Sequence, residues 1–229
     1  MGAGEATFER FVAAVGRPPE AVPLDEAGLC IAAHADPTLD IDAYLARFDD
    51  LAAEVRTPTL DGLVRHLWSS GRFSGNSEDY YDPRNSFLNE VLDRRIGIPI
   101  TLAVVGMEVG RRIGVPVWGV GMPGHFVVRD KVDPSVFIDP FNGGRQLTAA
   151  SCRALHRATL GAGAPWDEAY LEPVPRPAII ARMLANLRGV YQRRGDVASM
   201  RWVMRLRCAL PDATEDDRRD FARLMAPLN

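Results

Sequence analysis

The stretch 85–144 constrains the fold most, because an apolar helix pattern runs directly into three short strand patterns. It reads NSFLNEVLDRRIGIPITLAVVGMEVGRRIGVPVWGVGMPGHFVVRDKVDPSVFIDPFNGG. Leu102, Val105, Val109 and Ile113 recur at helical spacing over 100–113, and Gly114-Val115-Pro116 stops the helix. Strands are predicted at 117–120 and 125–129, parted by Met122-Pro123-Gly124, and at 136–139, ended by Pro140. One buried helix beside a short antiparallel sheet predicts an α+β fold.

Within and around this stretch, GNSEDYYDPRNSFLNEVLDRRIGIPITL, then PGHFVVR, then FIDPFNGG resemble the SirB1 family, a branch of the transglutaminase-like superfamily. The resemblance implies a central helix opened by a Cys, a His on the next strand region and an Asp on the strand after. His125 and Asp139 match the last two. The Cys position falls at 99–101, where Pro99, Ile100 and Thr101 stand. The implied architecture is a helical layer over 1–84, a transglutaminase-like core over 85–160 and a helical tail over 176–229 packed on the core.

Helical patterns fill the flanks. Before the core they cover 7–15, 25–33 with Asp25 as an acidic N-cap, 40–55 and 59–69. Asn85 is expected to cap a helix reaching Arg94. Between them, GRFSGNSEDYYDPR is rich in Gly, Asn and Asp and reads as an irregular loop, pinned by its two tyrosines or lining a site with Asn76, Tyr80 and Tyr81. After the core, a helix is expected over 151–160, then helices over 178–193, 197–210 and 214–225. These last resemble a tetratricopeptide-type hairpin with one further helix, too few units to stack as an array. Their arginines (QRRGD, RWVMRLR) read as solvated helix faces.

Composition excludes several function classes. The net charge of −3 supplies no basic field, so neither nucleic acid nor an anionic membrane is expected as a partner. No apolar run is long enough to span a bilayer. The opening MGAGEATFER lacks a signal peptide's basic start and apolar core, and Ala6 stands where a myristoylation pattern needs Ser or Thr. Three scattered cysteines, Cys30, Cys152 and Cys208, suit free thiols in a reducing cytoplasm. The four histidines have no metal-ligand spacing, and Gly119-Val120-Gly121 and Asn142-Gly143-Gly144 are turns, so neither metal nor cofactor is expected.

The chemistry implied by the resemblance needs a thiolate, an imidazole to move its proton and an acid to orient that imidazole. A helix N-terminus favours the thiolate. Thr101 offers the only hydroxyl at that position, and its simplest use is in capping or the first turn. Asp139 has a second reading in the DPFNGG turn, as does Asn142. Cys30 and Cys208 read as small core residues, and Cys152 follows the Asp139 turn closely enough to approach the site.

The leading expectation is a non-catalytic binding or scaffold protein with a protein or peptide ligand in a cleft near His125. That cleft would be lined by Asn76, Tyr80, Tyr81, Asn85 and Asn142. The alternatives are an amide hydrolase or acyltransferase using His125 and Asp139, with Thr101 as candidate nucleophile, and an interaction adaptor working through the tail.

Overall fold

The computed structural model describes residues 3–226. Met1 and Gly2 lie outside the described residues, as does 227–229 at the end of the tail.

Four helices open the chain: α1 (Ala3–Val15), α2 (Leu24–Ala35), α3 (Ile41–Ala53) and α4 (Leu60–Val64). Asp40 caps α3 by accepting from the Ala43 N–H, and Thr59 caps α4 by accepting from Gly62. The α4 helix widens into a π-turn over Arg65–Ser69, closed by Ser70 N–H on the Arg65 carbonyl. Asp25 is not a cap: α2 begins at Leu24 after Pro23, and the Asp25 carboxylate is buried against Arg112 at 2.8 Å. An opposite charge from the central helix recruits it inward.

The chain then forms β1 (Ser74–Gly75), α5 (Leu88–Arg94) and β2 (Ile96–Gly97), with β1 and β2 paired in parallel. Asn85 does not cap α5, which starts at Leu88 with Phe87 in the cap position and no side-chain cap bond. Its fully buried amide instead donates to the carbonyls of Asp79 (2.7 Å) and Tyr80 (3.3 Å). Irregular backbone has no ladder to satisfy such carbonyls, so a side chain must do it.

Helix α6 (Pro99–Arg112) is the hub, and every residue from 99 to 110 is buried. Gly106 allows this, because a Cβ there would lie 2.4 Å from the Trp68 indole. Strands β3 (Val117–Val120), β4 (Val127–Asp130), β5 (Phe137–Asp139) and β6 (Arg145–Leu147) form an antiparallel sheet in chain order. The expected strand at His125 starts two residues later, since His125 still belongs to the exit of the Met122–Gly124 turn. Strand β6 was not anticipated; two of its three residues are exposed, which removes the apolar signal.

Alternation along the strands sends Val128 and Ile138 to the main core and Val127 and Phe137 to a second apolar layer. That layer is completed by Cys152 of α7 (Ala149–Leu160). Helices α8 (Arg176–Arg194), α9 (Val197–Cys208) and α10 (Glu215–Met225) end the chain, with α8 packed on α2 and α6. The main core joins Phe11 and Phe48, Leu102 and Val128, and Ile180 and Leu206, so all three sequence segments share it.

Buried charges tie the same segments together. Glu108 of α6 is fully buried and pairs with Arg111 at 2.8 Å and with Arg176 of α8, whose Nε also donates to the Val22 carbonyl at 2.6 Å. Arg112 bridges Asp25 of α2 and Asp49 of α3. No described helix is long and apolar enough to cross a membrane.

Candidate functional site

His125 and Asp139 meet at the end of the sheet. The register of β4 and β5 pairs Val128 with Ile138, and the chain before β4 turns back so that His125 Nε2 lies 2.9 Å from Asp139 Oδ1. The carboxylate has three further donors: the Phe141 and Asn142 N–H groups reach Oδ1 at 3.2 and 3.3 Å, and Asn142 Nδ2 reaches Oδ2 at 2.7 Å. The turn role and the pairing role of Asp139 therefore coexist. Burial would push this carboxyl up, but the hydrogen bond and charge of His125, together with Asn142, hold it below its ordinary value.

The backbone of His125 is fixed as well. Arg182 Nη2 of α8 donates to the carbonyls of Met122 (2.8 Å) and His125 (2.9 Å). Phe141 packs edge-on against the imidazole, with ring centroids 6.1 Å apart, and stands at the same separation from Tyr80. Gly75 makes room for it, since a Cβ there would come 2.5 Å from the Phe141 ring.

A cavity of about 190 Å³ opens beside the imidazole. Pro99 and Ile100, from the first turn of α6, line one side, and Tyr80 from the loop covers another. Arg182 and Asn186 of α8 complete it. Larger concavities of about 670 and 760 Å³, beside His66 and beside Trp166, do not contain His125.

The remaining expected site residues are placed as follows. Thr101 is the third residue of α6 and fully buried. Its Oγ1 accepts from the Ile98 N–H (3.2 Å) and lies 2.8 Å from the Asn85 carbonyl, to which it donates. It is a first-turn residue and does not line the His125 cavity. Asn76 Nδ2 donates to Asn85 Oδ1 at 3.1 Å, and its own oxygen accepts from the Asp79 N–H, so these two asparagines shape the loop from within. Tyr80 lines the cavity, while Tyr81 lies under the Arg193 guanidinium at 4.3 Å. Arg193 remains exposed, as a solvated helix face requires, with Tyr81 stacked beneath it.

Cys152 reaches from α7 into the second apolar layer. Burial, with a smaller push from Asp139, raises its thiol to about 11, so it is a thiol and not a thiolate at neutral pH. Arg182 and Asn186 were missed in sequence. The signal available was a polar stripe, Arg182, Asn186 and Arg193, at helical spacing on a helix whose other face is apolar. Among the described residues there is no cluster of His, Cys, Asp and Glu able to hold a metal ion.

The sequence matches the family described as the Transglutaminase-like superfamily over residues 38–185. It is 42% identical over 203 residues to a UPF0162 protein of Xylella fastidiosa, covering 83% of this chain and 70% of that one. It is 32% identical over 182 residues to the UPF0162 protein PA3419 of Pseudomonas aeruginosa, covering 76% and 66%. F-box only protein 21 of Mus musculus is 32% identical over 152 residues, covering 62% of this chain and 23% of the mouse protein. No solved structure matches the chain.

Proposed function

The chain belongs to the transglutaminase-like superfamily and to the UPF0162 family, and from that premise we propose that it is a non-catalytic binding or scaffold protein. Its ligand, a protein or peptide, sits in the cleft beside His125. One observation carries this reading: the first turn of α6 that lines the His125 cavity presents Pro99 and Ile100, and neither has a nucleophilic atom. The Thr101 hydroxyl, next along α6, is engaged by the Asn85 carbonyl. The nearest thiol by sequence is Cys152, buried in an apolar layer and protonated. Covalent catalysis needs an activated nucleophile within reach of its base, and at the family's nucleophile position Pro99, Ile100 and the engaged Thr101 supply none.

The retained pair has a role in binding. Asp139 occupies Nε2, which leaves Nδ1 as the imidazole nitrogen for a ligand. On this reading the chain is SirB1-like, and its tetratricopeptide-like tail serves as a wall of the cleft through α8. The second reading, an amide hydrolase or acyltransferase, is favoured by the His125–Asp139 hydrogen bond alone.

The test uses an array of immobilised peptides, with binding and amide cleavage read separately for wild type, His125→Ala and Thr101→Ala. The scaffold reading expects binding lost in His125→Ala, kept in a folded Thr101→Ala, and cleavage in none. Cleavage by wild type that vanishes in both variants would overturn it.

A further inference from the structure

We infer that the His125 cavity and its extension along α8 take an extended acidic peptide, anchored by a carboxylate on Arg182; this rests on the binding reading above. Arg182 is the reason. Its Nη2 is fixed by two carbonyls and its guanidinium lies 5.4 Å over the Phe126 ring. Among the described residues no carboxylate pairs with it, and no acceptor engages its Nε or Nη1. Neighbouring arginines on the same helix do have partners: Arg176 has Glu108 and Arg188 has Asp220. A largely desolvated cation without a counter-charge is costly, and an arriving anion removes that cost.

The rest of the lining agrees. It contains no Asp or Glu, and the Asn186 amide and Tyr80 hydroxyl have no hydrogen-bond partner among the described residues. At about 190 Å³ the cavity suits one side chain or a chain end, and its single arginine matches a singly charged group better than a phosphate.

The cavity does not end there. A second one, of about 280 Å³, shares Tyr80 and Asn186 as lining and reaches Tyr81 and Arg193. Arg193, like Arg182, has no carboxylate partner among the described residues. The two arginines are eleven positions apart on α8, a rise of about 16 Å. An extended chain keeps two side chains on one face at a four-residue separation, about 13 Å, and the length of the two side chains covers the rest. The groove therefore reads two carboxylates at that separation.

The experiment follows the Arg182 Nε–H and Asn186 side-chain signals by NMR during titration. The probes are N-acetylglutamate amide (side-chain carboxylate only), N-acetylglycine (terminal carboxylate only) and neutral N-acetylglutamine amide. Saturable shifts are expected with one or both carboxylates and not with the neutral probe, and which carboxylate binds identifies the source. Arg182→Gln should weaken binding by at least about 10-fold and Arg182→Lys by less. Asn186→Leu, which leaves the carbonyl clamp intact, should weaken it too. A blocked Glu-Ala-Ala-Ala-Glu peptide, whose two Glu side chains leave the same face of an extended chain about 13 Å apart, should bind more tightly than its single-Glu counterpart, an advantage lost in Arg193→Gln. Absence of a saturable shift in wild type, or undiminished binding by folded Arg182→Gln, overturns the inference. Binding followed by cleavage of the peptide would overturn the scaffold reading and leave the carboxylate anchor standing.

Discussion

His125 Nε2 lies 2.9 Å from Asp139 Oδ1 while Asn142 Nδ2 holds Oδ2 at 2.7 Å, so both oxygens of one fully buried carboxylate are engaged. The imidazole thereby has a fixed orientation, and the turn that carries Asp139 cannot relax without releasing it. Removing a single partner of such a pair exposes its desolvation cost.

Asp139→Ala should therefore destabilise the fold by about 3 kcal/mol, read by urea unfolding at neutral pH. The pH dependence has a definite sign. Because the folded pKa of Asp139 is depressed, its contribution is present above the unfolded value of about 3.9 and is lost as pH falls through the folded value. The stability gap between wild type and Asp139→Asn should hold from pH 7 to about 5 and close below about 4.

Thiol reactivity should separate the three cysteines. Burial pushes Cys30 up to about 12 and Cys152 to about 11, and both are enclosed, whereas Cys208 is only partly buried. Native protein treated with iodoacetamide should label at Cys208 first, with Cys30 and Cys152 reacting only in urea. Mass spectrometry of the digested protein reads this directly, and early labelling of Cys152 would show that the layer against α7 is open.

The α6 pattern and the strands on either side of Met122-Pro123-Gly124 were legible because each is an apolar run bounded by Gly or Pro, α6 being buried on every side. So was the pairing of His125 with Asp139, through the resemblance. Other features were not. Asp25 and Asn85 look like caps in sequence, yet each is drawn inward by a partner distant in the chain, Arg112 for one and the loop carbonyls for the other. The Glu108–Arg176 pair and the Arg182 wall depend on where α8 docks, which no local pattern encodes.

Glu108 offers a test of that docking. Burial, then the nearby Asp25, push its carboxyl up, and Arg176 and Arg111 only partly offset them. Arg176→Ala should cost about 3 kcal/mol near pH 8, measured by urea unfolding. A raised folded pKa means that the charged form is the disfavoured one. The cost should therefore shrink as pH falls and Glu108 takes up a proton. A double-mutant cycle with Glu108→Gln should give a coupling energy above about 1 kcal/mol.

Introduced thiols should report the geometry of the α6 N-terminus. Ile100→Cys places sulfur at the cavity beside His125, where the helix end favours a thiolate. Thr101→Cys places it against the Asn85 carbonyl, away from the cavity lining. Iodoacetamide should label Ile100→Cys at least about 10-fold faster than Thr101→Cys, with the faster rate lost on adding His125→Ala.

The most direct test is a turnover measurement on the unmodified protein. Wild type is incubated with a mixed library of amide and peptide substrates, and product is counted by mass spectrometry against a blank and against His125→Ala. A site that binds without a nucleophile predicts product no higher than the blank in both. Product formed by wild type and abolished in a folded His125→Ala would contradict that account.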